Sequence, residues 1–214
     1  MTDIAPRSNR KKGRFLGRLG QSMLEAIIAS GIVATAVSSA LTLVQVSISA
    51  EKESEGGIVA ANLAREGIEV VRSIRDSNWL AGADWDQGLE GADNDHTAIA
   101  VFSPKDNAWH LDFTPNDIGD PATRVYRYTT GTDETVVGLQ VQALTPPDNT
   151  MPTAFSRLLA LDAICDDAGT REVKESGAAC AGTKIGYRVR STVNFSVSGR
   201  PRSLEVEESI YDWR

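Results

Sequence analysis

The chain has 214 residues, 41% hydrophobic and 24% charged, with a formal net charge of −7, enough for one ordinary domain and an appendage. A mean hydropathy of −0.22 excludes a multi-span membrane protein, and an acidic body argues against nucleic acid, whose binding draws on Lys and Arg at the phosphates. The charge is unevenly spread: residues 1–20 hold Arg7, Arg10, Lys11, Lys12, Arg14 and Arg18 against Asp3 alone, a net of +5, so the remainder carries −12.

Residues 1–20 are polar, basic and interrupted by Gly13, Gly17 and Gly20; they read as an unstructured leader. From Gln21 to about Leu80 the pattern predicts one long helix in two halves. Residues 26–50, AIIASGIVATAVSSALTLVQVSISA, contain no charge. As a helix they would span roughly 37 Å, against the ~30 Å of a hydrocarbon core. The basic head before them favours a membrane span over a buried soluble helix, with the leader held in the cytoplasm and the body outside. Glu51, Lys52, Glu53, Ser54 and Glu55 mark the exit into water, and Gly56-Gly57 is the place where a bend costs least. The second half is amphipathic. Ala60, Leu63, Ala64, Gly67, Ile68, Val71 and Ile74 recur at steps of three and four, with Arg65, Glu66, Glu69, Arg72 and Arg75 largely on the other side.

Residues 81–214 change character: Gly, Pro, Asp and Asn punctuate short apolar runs, the pattern of a β-rich domain. Candidate strands are 97–103, 108–113, 124–130, 135–142, 154–163, 185–197 and 203–212. In 185–197, Tyr187, Val189, Val193, Phe195 and Val197 alternate with polar residues, so one face meets a core. A turn containing Gly199 then predicts a closing hairpin. A sheet with one apolar face needs a cover, and the amphipathic half-helix needs a partner. The expected fold is therefore α+β, a long N-terminal helix whose C-terminal half packs on an antiparallel sheet.

The junction Gly20-Gln21-Ser22-Met23-Leu24-Glu25-Ala26 has a basic leader ending in glycine, then an apolar helix broken by one acid in its fifth position. This resembles the prepilin motif of type IV pilins and type II secretion pseudopilins, although Gln21 stands where the family usually has Phe, and Met23 replaces a more common Leu or Thr. The stretch NLAREGIEVVRSIRDSNWL is similar to minor pilin and pseudopilin helices, and the closing strands are similar too. The resemblance implies a non-enzymatic filament subunit, inserted in the cytoplasmic membrane and cut by a prepilin peptidase between Gly20 and Gln21, with the new amino group methylated. Its implied partners are membrane lipid before assembly, then other pilin or pseudopilin subunits and the assembly machinery, with Glu25 acting in assembly and the head in the periplasm or outside the cell. The rival reading is an ordinary signal or anchor segment on a secreted or single-span binding domain, with cleavage after Ser38-Ser39-Ala40; a charged Glu25 early in the apolar region argues against it.

No phosphate loop, zinc-protease helix or nucleophile elbow occurs, and no cofactor is expected. His96 and His110 lack metal-ligand spacing and read as surface residues. Asp84, Asp86, Glu90, Asp93 and Asp95 crowd one loop; hard oxygen ligands there could hold Ca²⁺, and some pseudopilins bind it in such a loop. The spacing matches no known calcium loop, however, and a solvated acidic loop is the simpler reading. Trp79, Trp85, Trp109 and Trp213 are expected where helix meets sheet, a surface-exposed adhesive patch being the alternative for one of them. Cys165 and Cys180 are the only cysteines; in an oxidising space they are expected to pair.

Overall fold

One helix, α1, runs from Leu16 to Ala81. The structure, a computed structural model, describes residues 16–92, 95–103, 105–129, 138–175 and 177–213. The first fifteen residues of the expected leader lie outside these. Its remainder is helical, so α1 begins five residues before Gln21; no proline or other strong breaker separates Leu16 from the apolar run. The chain divides into two units, Met1–Ala50 and Glu51–Arg214. The first contributes a bare stretch of α1. The second, the head, contains the amphipathic part of α1 and the sheet.

In the head, Ala60, Leu63, Ala64, Gly67, Ile68 and Val71 are buried as their spacing predicts, joined by Val70. They meet Leu159, Leu161, Val189, Val193 and Phe195 in two adjoining clusters. Two glycines set how closely helix and sheet approach. A Cβ on Gly67 would lie 2.7 Å from Leu159 Cδ2 and 3.0 Å from Ser191 Oγ, and one on Gly56 would lie 3.1 Å from Phe195. The helix passes through Gly56-Gly57 without a break, so Gly56 serves packing here rather than bending. Arg75 departs from its expected polar side. It is 8% exposed, donating to Asp76 and to the Tyr211 carbonyl, its guanidinium 4.5 Å from the Trp79 ring; those partners replace the water it loses. Gly82, at φ 71°, ends α1: its N–H bonds the Trp79 carbonyl, and the Ala83 N–H bonds that of Asn78, a Schellman close.

Eight strands are seen among the described residues. They are β1 (Thr97–Ser103), β2 (Ala108–Asp112), β3 (Arg124–Tyr128), β4 (Gln140–Val141), β5 (Thr150–Asp167), β6 (Thr170–Lys174), β7 (Thr183–Val197) and β8 (Arg200–Tyr211). Every pairing is antiparallel, and β5 is the axis. One edge carries β7, which carries β8; the other carries β3, β1 and β6 in turn, with β4 beyond β3 and β2 beyond β1. The fold is α+β, the helix packed on the sheet.

The expected closing hairpin is present, turning through Ser198 and Gly199 at φ 51° and 76°. A second hairpin of the same form, β5–β6, turns through Ala168 and Gly169 at φ 49° and 88°. Positive φ at both central residues is the turn whose twist matches paired strands. Of the expected strand at 135–142, Gln140–Val141 form β4; its residues 135–137, and Thr130 of the expected third strand, lie outside the described residues. Because helix and sheet cover each other within the head, a chain beginning at Glu51 is expected to be soluble and to unfold in one cooperative transition. Circular dichroism during heating checks this; precipitation, or a melt without a transition, would refute the division.

Candidate functional site

Residues 22–50 of α1 are exposed throughout. Met23, Leu24, Ile27, Ile28, Ile32, Val33, Leu41, Leu43 and Val46 present large apolar side chains, Leu43 at 71% exposure. The hydroxyls among them do not make the surface polar. Ser30, Thr35, Ser38, Ser39, Thr42 and Ser49 donate to carbonyls three or four residues back, at 2.8–3.0 Å for their shorter bonds. A helix that satisfies its own backbone and returns most of its hydroxyls to it asks little of a hydrocarbon solvent outside Glu25 and Gln45. Its best window has mean hydropathy 2.0 and no buried residue, so one N-terminal helix is long and apolar enough to cross a membrane.

Glu25 is the single charge between Gln21 and Ala50. It is exposed on this helix and has no ion pair among the described residues. Gly20 and Gln21 lie within α1, so the peptide between them is four residues, about one turn, before Glu25. Gly20, Gln21 and Glu25, the residues expected to serve processing and assembly, thus lie within six positions on one helix.

The head holds polar nodes that its sequence does not advertise. Arg157 of β5, its side chain 3% exposed, donates from Nε to Gln142 Oε1 at 2.7 Å and from its terminal nitrogen to the Leu63 carbonyl at 3.0 Å, with Glu66 at 3.5 Å. Burial pushes this guanidinium below its usual range, and Glu66 opposes the shift. Asp162, 1% exposed, accepts from Arg188 at 3.1 Å and Arg190 at 2.7 Å. Arg157 and Asp162 lie in a run of apolar and small residues on β5, and nothing in the local pattern names partners 15 to 94 residues distant.

The acidic loop serves the sheet. Asp86 and Glu90 lie 2.6 and 2.9 Å from Lys184 Nζ, which also donates to the Tyr187 hydroxyl at 3.0 Å. Burial lowers the Lys184 ammonium, but hydrogen bonds to Asp86, Tyr187 and Glu90 together raise it above its ordinary value. Asp84 and Asp95 are exposed, Asp93 lies outside the described residues, and among those described no cluster of three or more His, Cys, Asp or Glu converges as a metal site. His110 is exposed and His96 half-buried. Trp79 is buried and Trp85 and Trp109 pack on the core, whereas Trp213 is the one exposed among the four, at 67%, set edge-on against Trp79 at 4.3 Å.

Cys165 and Cys180 are joined, their Cα atoms 5.6 Å apart. Cys165 lies in β5, not in a loop as its position between the expected strands implied, because β5 runs on to Asp167. The bond ties this strand to the segment before β7. Cys165→Ala with Cys180→Ala is expected to lower head stability by about 3 kcal/mol, the loop-closure value for some 15 residues; urea unfolding measures it, and alkylation at lysis tests for free thiols. Set against family models, curated proteins and solved structures, the chain matches none of them.

Proposed function

We propose that this chain is a structural, non-catalytic subunit of a filament of the type IV pilus or secretion pseudopilus kind, inserted in the membrane as a precursor and cut between Gly20 and Gln21. The observation that carries the reading is the bare apolar helix over residues 22–50 with one acid, Glu25, a turn from the cleavage junction. So much exposed apolar surface needs a cover. Lipid covers it in the precursor, and the same segment of other subunits covers it in the filament. The basic leader stays in the cytoplasm and the head lies outside, where Cys165 and Cys180 stay oxidised. The chemistry is done to this protein, by a prepilin peptidase and the assembly machinery. Its large head favours a minor subunit over the repeating one.

Mass spectrometry of membrane-extracted protein tests the proposal. The mature chain is expected to begin at Gln21, with or without a methyl group on its amine. A chain beginning at Leu41 would mean a removed signal peptide and a secreted head, and would overturn the filament reading.

A further inference from the structure

The head has a groove of 440 Å³ that assembly through the apolar helix does not use. One wall is a single face of α1, Lys52, Glu55, Gly56 and Val59, at steps of three and four. The other is the start of β5 and the end of β7, where Phe155 and Phe195 stack with centroids 5.7 Å apart. Met151 lies at the rim, 59% exposed. Arg127 of β3 and Gln140 of β4 also line it.

We propose that this groove seats the phosphodiester headgroup and adjoining acyl carbons of a membrane phospholipid, with preference for an anionic one. The proposal rests on the membrane-inserted reading above. Its chemistry is two-sided: an aromatic and aliphatic floor beside two cations, as a lipid is apolar at one end and phosphate at the other. Lys52 and Arg127 are exposed and have no ion pair among the described residues, whereas Arg202 of β8 is neutralised by Glu53 at 2.7 Å. Among the described residues of the lining, Glu55 is the one acid against Lys52 and Arg127, on a head that is otherwise acidic. Lys52 also stands two residues after Ala50, the last of the charge-free run, so in a chain anchored by that run Lys52 follows directly on the apolar segment, within reach of the headgroups. Gly56 keeps it open to the aromatic floor, since its missing side chain would press on Phe195 and on Val197 at 3.2 Å.

The test uses the full chain in vesicles of phosphatidylcholine alone or mixed with phosphatidylglycerol, with Met151→benzoylphenylalanine as a photo-crosslinker. Flotation is measured first, then lipid adducts by mass spectrometry. The expected result is flotation with both vesicles and an adduct enriched in the anionic ones by about fivefold per basic residue. Lys52→Glu with Arg127→Glu should remove the enrichment and leave flotation unchanged. Floating protein with equal adducts in both vesicles, with none, or with crosslinks to a second copy of the chain would overturn the lipid site alone. Protein that does not float would overturn the membrane reading and this inference with it.

Discussion

Glu25→Ala is expected to leave membrane insertion and cleavage after Gly20 intact, yet to cut incorporation into sheared filaments by roughly 100-fold. Under the proposed function, cleavage creates a positive amine on Gln21, about one turn from Glu25. In a filament the copies are staggered along the axis, so the carboxylate of one subunit meets the amine of the next. Residues 22–50 are apolar and exposed, and bundling them makes a dry core in which such a pair is far less screened than at a surface. Leaving one partner unpaired there costs on the order of 3 kcal/mol, which is the stated factor. The pair would set axial register as a subunit enters. Glu25→Gln keeps the shape and removes the charge, so it should fail nearly as badly. The measurement is the share of each processed variant in filaments against its share in the membrane. Equal shares for wild type and variant would leave Glu25 as an ordinary acid near a helix start.

Legibility followed how local each signal was. The apolar run, its flanking charges and Glu25 are read directly from consecutive residues, and so is the stripe of α1 that meets the sheet. Strand β7 and its turn into β8 were legible because strict alternation ends at a residue pair, Ser198-Gly199, suited to positive φ. Strand β6 was not, because TREVK has no apolar alternation; only its pairing with β5 makes it a strand. The length of β5 was underestimated for the same reason, since its start, Thr150–Thr153, is held by β3 and its end, Ile164–Asp167, by β6 and β7, none of which the alternation within β5 reports. Arg75 was misplaced because helical spacing assigns a face but does not know that Trp79 and the Tyr211 carbonyl will close over it. The groove at Lys52 was invisible from sequence, as its walls come from five elements, α1, β3, β4, β5 and β7.

Removing the buried cation at position 157 is expected to have the largest effect on the head itself. Arg157→Met should destabilise it by about 2–4 kcal/mol, although methionine fills much of the same volume and restores no polar contact. The guanidinium joins three parts of the head: α1 through the Leu63 carbonyl, β5 through its own backbone, and the segment after β4 through Gln142. Gln142, 3% exposed, is itself spent on the carbonyls of Thr123 and Arg157 at 2.6 and 2.8 Å. Methionine would strand the Gln142 oxygen in a place that water does not reach, and each such orphan costs about 1–3 kcal/mol. Gly67 belongs to the same arrangement, because a Cβ there would lie 3.4 Å from Arg157 Cδ; the helix has no side chain where the arginine passes beneath it. Arg72 is the control. It pairs with Glu69 and Glu208, but at 30% side-chain exposure water takes over much of what is lost, so Arg72→Met should cost under about 1 kcal/mol. Urea midpoints of the 51–214 fragment, followed by tryptophan fluorescence, compare the two. Equal, small losses would mean that Gln142 finds another donor and that the buried node adds nothing beyond packing.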